Sequence, residues 1–328
     1  MNRKKFLSFL FLGCSLFLGA ADVPDFKQMW NESDEVKHRA LQDLMQARID
    51  KLPKAEFDNF DKDPAVKSDN PVLKFYDAAL ERVLADIPAT KVRPGTVVIW
   101  YLYNMGFIIK TPESCFGVDI HHRNAVRLAP LLDFTAVTHK HGDHFSKPLL
   151  NEMNSLKKVI ISNFFQNPGL TKSPEYTRKL PGGITVHCGE ADHNSRLKKF
   201  TMPMEFVCKT GDKEFVFFTS GDVCSEKFLK RKSEKIHLYA IHPRCGMLTI
   251  KAVKRLDPQM TFIGHLQELG HEINRWRWSF AVGRKDQQIL DKIKKSAYVP
   301  VWGEKFLWDG EKVSAVKAAP RKEASKHP

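Results

Sequence analysis

Three histidines and one aspartate stand within six residues, in the stretch 139–144 (HKHGDH), directly after the apolar run 134–138. An apolar run of this length predicts a buried β-strand, and the loop that follows it can gather four side chains in one small volume. Imidazole and carboxylate groups are ligands that zinc, manganese and iron accept in proteins. The stretch therefore predicts a metal site at a strand end, which the rest of the fold has to complete.

Size and composition set the class of protein. The chain has 328 residues, 42% of them hydrophobic and 27% charged, and a formal net charge of +14. This is typical of a globular protein with a large core and about two domains. The positive charge favours an anionic substrate, although a solvated lysine-rich face is the simpler explanation. Basic and aromatic residues alternate only at 275–278, which argues against a nucleic-acid surface.

The first 21 residues have the pattern of a secretory signal peptide. Basic residues at 3–5 precede an uncharged apolar stretch at 6–21, which ends in small residues before Asp22. The stretch is shorter than the roughly 20 residues that span a bilayer. We therefore expect an exported protein, periplasmic or secreted. A retained segment, or a lipid on Cys14, would instead anchor the chain to a membrane.

Hydrophobic periodicity separates a helical part from a strand-rich part. Apolar residues recur at helical spacing over 36–52 and 72–87, and the polar segment 57–70 between them predicts a loop. From Thr96 onward, short apolar runs predict strands, with helical patterns between them. The predicted organisation is a signal peptide at 1–21, an N-terminal helical extension at 22–94, a strand-rich domain at 95–312 and a disordered basic tail at 313–328.

Three further predicted strands lead to histidine or aspartate. His193, Asp222 and His265 each follow an apolar run within a few residues. If these strand ends lie on one edge of the sheets, the three side chains converge with those of 139–144. The sequence thus offers a complete set of metal ligands rather than a single cluster.

Each of these three residues has a rival. His187 lies inside a strand pattern, and His271 lies farther along the loop that follows the last strand. Asp212 lies at a predicted hairpin tip, where aspartate is a common turn residue. The strand-end positions are therefore favoured as ligands.

The H-x-H-x-D-H motif and the ordered residues downstream of it resemble those of the metallo-β-lactamase superfamily of binuclear hydrolases. The resemblance covers roughly 96–308. It implies an α/β (α+β) fold, a four-layer αββα sandwich in which two β-sheets lie between helices and the site lies at one edge. The N-terminal helices would pack against this sandwich as an extension.

The resemblance also implies a ligand set for two divalent ions. One ion would be held by His139, His141 and His193, and the other by Asp143, His144 and His265. Asp222 would bridge them. Zinc is the expected metal of such a histidine-rich set, and manganese or iron is compatible with it. Asp143 would also act as a catalytic residue that manages the proton of the attacking water.

The implied activity is hydrolysis by a metal-activated hydroxide. The layout looks most like the branch of ascorbate-phosphate lactonases and N-acyl-phosphatidylethanolamine phospholipases, which suggests an ester, lactone or phosphodiester in a small anionic substrate. Two alternatives stay open: an exported amide hydrolase of the β-lactamase type, and a non-catalytic binding protein that retains the fold. A redox role of the flavodiiron kind ranks lower. The oligomeric state is left open.

Substrate contacts are expected from loops that follow predicted strands. The candidates are His121, His122, Arg244 and Trp276. A polar loop without function is an equally good explanation of the first three, and Trp276 could simply pack an amphipathic segment. Cys224 lies close to Asp222 but is expected to be a thiol beside the site rather than a ligand.

Overall fold

The computed structural model describes residues 24–165, 175–243, 249–273 and 275–317. The predicted signal peptide with Cys14, the candidate Arg244 and the end of the predicted tail lie outside the described residues. In the part of the chain that is described, no helix combines the length and the apolarity that a bilayer crossing requires.

Three helices form the N-terminal extension. A short 3-10 helix, Phe26–Trp30, precedes α1 (Glu35–Ile49), α2 (Lys54–Lys62) and α3 (Pro71–Ala89). The two predicted helices are confirmed. The predicted loop at 57–70 is wrong over its first part, because α2 covers it: Phe57 and Phe60, one turn apart, are both buried. Two apolar residues in a polar stretch are too few for a periodicity signal.

Two seven-stranded sheets follow. The first has the order β14-β13-β1-β2-β3-β4-β5, in which the strands are β1 (Val97–Tyr101), β2 (Phe107–Lys110), β3 (Cys115–Val118), β4 (Phe134–Ala136), β5 (Val159–Ile161), β13 (Glu304–Trp308) and β14 (Val313–Ala315). The second has the order β12-β11-β10-β9-β8-β7-β6, in which the strands are β6 (Tyr176–Leu180), β7 (Ile184–Cys188), β8 (Met204–Thr210), β9 (Lys213–Thr219), β10 (Leu238–Ile241), β11 (Met260–Ile263) and β12 (Ala297–Tyr298).

The sheets are packed on both of their faces. Between them, aromatic side chains interlock; the Phe107 ring lies 5.3 Å from that of Phe217, and the Phe116 ring lies 5.2 Å from that of Phe206. On the outer face of the first sheet, α3 and α4 (Lys147–Ser155) cover a second core around Trp100. On the second sheet, α6 (Phe280–Lys292) packs against β11 and β12, and α5 (Thr249–Leu256) packs beside α6. The predicted four-layer αββα sandwich is confirmed.

The N-terminal helices share the main core with the sheets. The Trp30 indole donates to the Trp302 carbonyl at 2.7 Å, and Phe75 stacks on the Trp302 ring at 6.0 Å. The sandwich also reaches into the predicted tail, where Val313–Ala315 pairs with Glu304–Trp308. That stretch was expected to be disordered. It is ordered because Val313 is buried in the same core, whereas a three-residue edge strand leaves almost no pattern in sequence.

Candidate metal centre

Five strand ends meet at one edge of the sandwich. β9, β10 and β11 are parallel neighbours, so the residues that follow them, which include Asp222, His242 and His265, leave the sheet on the same side. β7 runs in the same direction as β9, because β8 pairs antiparallel with both, and it leads to His193. β4 of the first sheet leads to His139. Topology therefore places all of these side chains together.

The first group consists of His139, His141, His193 and Asp222, with one ligand atom of each within 4.8 Å of the others. Nε2 of His139 lies 3.1 Å from Nδ1 of His141. Nε2 of His193 lies 3.4 Å from Oδ2 of Asp222. These separations fit neighbouring ligands of one ion, because metal–nitrogen and metal–oxygen bonds are about 2.0–2.2 Å long.

The second group consists of Asp143, His144 and His265, which also lie within 4.8 Å of one another. Oδ2 of Asp143 is 3.1 Å from Nε2 of His265 and 3.6 Å from Nε2 of His144. Asp222 faces this group too, with Oδ1 3.3 Å from Nε2 of His144. Its Oδ2, which faces His193 of the first group, also lies 3.6 Å from Nε2 of His265. This carboxylate therefore lies between the two groups and contacts both.

Several atoms of the two groups are buried without a hydrogen-bond partner among the described residues. They are Nε2 of His144 and of His193, both ring nitrogens of His265, and Oδ1 of Asp222. A buried polar atom without a partner costs about 1–3 kcal/mol, and here the orphaned atoms cluster at one place. Divalent cations would satisfy all of them except Nδ1 of His265, so the residues present fit a metal centre.

Protonation in the first group matches that of a ligand set. The pKa of His139 lies well below its ordinary value, because of burial and then of the neighbouring His144. Burial also lowers the pKa of His141 to about 4. Burial alone would raise the pKa of Asp222, but the surrounding histidines outweigh it and hold the pKa well below its usual range. Neutral imidazoles and ionised carboxylates are the forms that bind metals.

His144 has the opposite shift. Burial would lower the pKa of this imidazole, but the carboxylates of Asp222, Asp143 and Asp119 outweigh it and raise the pKa well above its ordinary value. Three carboxylates around one ring favour a positive charge at this point. A divalent cation supplies such a charge, and would take the place of the proton on His144.

Asp119, at the end of β3, supports the centre from beneath. Its carboxylate accepts from His144 Nδ1 at 3.0 Å and from the backbone N–H and hydroxyl of Thr138, both at 2.7 Å. Asp119 is fully buried. A carboxylate on the far nitrogen of a ligand histidine fixes the tautomer and orientation of the ring. Because Thr138 also contacts Nδ1 of His139 at 3.1 Å, Asp119 supports both groups.

Asn104 ties two ligand loops together. Its side-chain N–H₂ donates to Oδ2 and to the backbone carbonyl of Asp143, both at 3.0 Å. The backbone carbonyl of Asn104 accepts from the backbone N–H of His265 at 3.0 Å. Asn104 and His265 both have positive φ, 61° and 52°, a conformation that is uncommon outside glycine and often marks functional sites. Gly221 also has a positive φ, 52°, and a Cβ at this position would lie only 2.7 Å from Oγ1 of Thr138. The position therefore requires glycine.

A cavity of about 650 Å³ opens onto the two groups. Beside the ligands, it is lined by Lys140, Asn194, Ser195, Cys224, His242, His271 and Trp276. Of the four candidate substrate residues, the structure brings Trp276 to this cavity. Cys224 also lines it as a half-buried free thiol.

His242 begins the strand-end loop from which Arg244 was predicted to contact the substrate, but His242 itself was not among the predicted site residues. It is buried, its ring centroid lies 3.9 Å from that of His265, and its Nε2 lies 3.8 Å from Oδ1 of Asp222. The available signal was its position directly after β10, the same position that marks His265 after β11. A single histidine after an apolar run is otherwise indistinguishable from a packed one.

His121 and His122 do not line the cavity. Nε2 of His121 lies 3.1 Å from a carboxylate oxygen of Asp61. His122 is buried and stacks on Tyr76 with ring centroids 4.1 Å apart. Both rings turn toward the N-terminal extension, His121 to Asp61 of α2 and His122 to Tyr76 of α3, so substrate contact by these two residues stays a prediction that the cavity lining does not support.

His122 should make folding stability depend on pH. Burial lowers the pKa of His122 in the folded chain to about 3. The unfolded chain therefore binds a proton at this residue below about pH 6.5, whereas the folded chain binds it only near pH 3. Stability is therefore lost as the pH falls through this window, by up to about 1.4 kcal/mol per unit. The wild type should lose unfolding free energy between pH 7 and pH 4.5, as measured by urea unfolding of metal-free protein. In His122→Phe this loss should be smaller by about 2 kcal/mol.

The control for this prediction is His187→Ala, which removes a histidine that bonds only a threonine hydroxyl, at 2.8 Å, on the outer strands. The pH dependence of stability should shrink less in this variant than in His122→Phe. An unchanged pH dependence in His122→Phe would show that His122 is not held neutral.

Comparisons with known proteins give distant structural likenesses. The sequence matches no family model and no curated protein. A metallo hydrolase, Igni18, from the archaeon Ignicoccus hospitalis is 15% identical, with a TM-score of 0.46 over 65% of this chain and 98% of that one. CmlA, a diiron β-hydroxylase from Streptomyces venezuelae, is 11% identical, with a TM-score of 0.47 over 67% of this chain and 54% of that one.

A further similar structure is a protein from Thermotoga maritima described as a zinc-dependent hydrolase of the metallo-β-lactamase superfamily. It is 11% identical, with a TM-score of 0.38 over 58% of this chain and 84% of that one. At such distances the function of the chain has to follow from its own residues.

Proposed function

We propose that the chain is a binuclear metal-dependent hydrolase that cleaves an ester, lactone or phosphodiester bond in a small anionic substrate. The observation that carries the proposal is the Asp222 carboxylate, which lies between two groups of ligand atoms and contacts both. His139, His141 and His193 would hold one ion, and Asp143, His144 and His265 the other. Bound divalent ions would lower the pKa of water toward neutrality and polarise the scissile bond.

Asp143 is the residue best placed to handle a proton. Burial would raise its pKa, but His144 and His265 outweigh that effect and hold the pKa well below its usual range. The carboxylate is therefore ionised, and Asn104 fixes Oδ2 in place. An ionised, oriented carboxylate beside the attacking water can accept its proton.

Two other residues of the cavity favour an anionic substrate. Lys140 lies between two ligand histidines in sequence and lines the cavity, so its ammonium group can neutralise a carboxylate or phosphate. His242 lines the same cavity within 3.8 Å of Asp222, where its ring can donate to a substrate oxygen. We further propose export of the chain, from the signal-like segment at its N-terminus.

The test is hydrolysis by stripped and reloaded protein. Bis(4-nitrophenyl) phosphate, a lactone and a β-lactam should be offered before and after chelation, and after addition of Zn²⁺, Mn²⁺ or Fe²⁺. We expect at least one substrate to be cleaved, the chelated protein to be inactive, and an added ion to restore the rate. His141→Ala should remain inactive, whereas His187→Ala should behave as the wild type.

Cleavage that survives complete removal of metal would contradict the proposal. A properly folded, metal-loaded protein that cleaves none of a broad set of esters, lactones, amides and phosphodiesters would instead favour the binding-protein alternative. Preference for the β-lactam would select the amide-hydrolase alternative.

A further inference from the structure

Two aromatic rings form one side of the cavity, on the loop between β11 and α6. His271 and Trp276 line it together, with ring centroids 6.4 Å apart and planes inclined by only 26°. Trp276 is 52% exposed, and it is the one aromatic residue among the exposed large hydrophobic side chains of the described chain. A large apolar ring held in water at a cavity mouth gains free energy when a ligand covers it.

The backbone at Trp276 is strained. Its φ is +78°, a region that bulky residues rarely adopt because it is sterically unfavourable. Such a conformation persists only where the surrounding structure enforces it. The position of this ring is therefore imposed, not a relaxed surface conformation.

Arg277 supplies the constraint. Its guanidinium is largely buried and donates to the carbonyls of His271 at 3.0 Å and Leu269 at 2.8 Å, both in the same loop. It also donates to the carbonyls of Ile49 at 3.0 Å and Leu52 at 2.6 Å, at the carboxyl end of α1. A cation at that end is favoured by the helix dipole and satisfies carbonyls that the helix leaves open.

His271 is held from the other side by Glu268. The buried Glu268 carboxylate pairs with Nδ1 of His271 and accepts from the Gly270 N–H at 2.9 Å and from the Tyr103 hydroxyl at 3.2 Å. Tyr103 in turn packs on Phe57 of α2, with ring centroids 5.9 Å apart. Both rings are thus fixed through residues that contact the N-terminal helices.

We propose that His271 and Trp276 form an aromatic wall that selects substrates with a planar aromatic group beside the anionic centre, and that Arg277 is a positioning residue that fixes this wall against α1. The inference rests on the proposed function, because it names the substrate class of the same site. It also gives the N-terminal extension a purpose, since α1 is the support to which the wall is attached.

The test compares two ligands that differ only in the ring. Phenylphosphonate and methylphosphonate should be titrated calorimetrically into metal-loaded protein, so that no turnover is needed. The wild type should bind phenylphosphonate about 10-fold more tightly, the size expected for one aromatic contact. Trp276→Ala should bring this ratio close to 1 by weakening phenylphosphonate alone, and Trp276→Phe should keep most of it.

Variants of Arg277 test the positioning role. Arg277→Met should lose the preference for phenylphosphonate, while its affinity for methylphosphonate and its metal content stay unchanged. In the double variant with Trp276→Ala, the ratio of the two affinities should fall no further, because both changes remove the same contact. Arg277→Lys, with a single ammonium for four carbonyls, should give an intermediate ratio and covers the case in which the Met variant does not fold. Arg123→Met is the matched control, since the guanidinium of Arg123 bonds the carbonyls of Phe60 at 2.8 Å and Val66 at 2.9 Å but no cavity loop.

Equal binding of the two phosphonates by the wild type, or a preference for phenylphosphonate that survives Trp276→Ala, would contradict the proposed aromatic wall. A ratio that falls equally in Arg123→Met and Arg277→Met would overturn the positioning role. If the metal-loaded protein binds neither phosphonate, the proposed function fails, and the wall with it.

Discussion

Asp222→Asn is expected to empty both halves of the metal centre at once and to lower kcat/KM on the order of 10³-fold or more, the scale of losing a preorganised group that stabilises the transition state. The reason is geometric, because Oδ1 faces His144 at 3.3 Å and Oδ2 faces His193 at 3.4 Å. An amide keeps the shape but can offer only one neutral oxygen. Metal per chain after gel filtration and the rate on the best substrate measure the two effects.

Asp212→Asn is the matched control. It makes the same change of charge at an exposed hairpin tip between β8 and β9, and it should leave metal content and rate unchanged. Retention of two ions by Asp222→Asn would mean that the carboxylate does not bridge, and the two-group centre would have to be abandoned.

Asp119→Asn should have the second largest effect, although this side chain reaches neither cavity nor substrate. The amide cannot accept from His144 and from both Thr138 donors at once. Metal affinity should fall by about 10–100-fold, the usual cost of losing such a supporting carboxylate. The loss should be larger at the His144 side. Because a buried ion pair with His144 is also broken, metal-free protein should lose about 3 kcal/mol of unfolding free energy.

Calorimetric zinc titration and urea unfolding separate these two effects. Asp133→Asn is the control, since Asp133 accepts from Ser114 and the Cys115 N–H at the other end of the same strand, at 2.9 and 2.8 Å. It should lower stability only. Wild-type zinc affinity in Asp119→Asn would show that the imidazole is oriented without its carboxylate.

How much of this centre the sequence predicts depends on how local its signals are. The stretch 139–144 concentrates four ligand side chains after an apolar run, and His265 follows the apolar strand 260–263 after a single glycine, so both stand out. His242 occupies an equivalent place after β10 but has no second ligand type beside it. Its importance appears only when β10 is seen to lie between β9 and β11.

The features that the sequence did not predict have a different cause. His121 and His122 follow a strand that does end at the site, but the sequence cannot show that the N-terminal helices cover that side of the loop. α2 escaped prediction because only Phe57 and Phe60 of its residues are buried. The exposed positions of β6 and β14 are polar, and such edge strands lack the apolar runs that marked the others. Long-range packing decides all of these features, and single-sequence periodicity does not record it.

The most direct test of the central claim is the number of ions needed for activity. Stripped protein should be titrated with Zn²⁺ while bound metal and the rate of substrate cleavage are followed together. Two equivalents of Zn²⁺ per chain should bind, and the full rate of cleavage should return only as the second equivalent is taken up. His139→Ala should not reach the full rate. Full activity with one ion or none, or saturable binding that is the same in His139→Ala, would contradict the account.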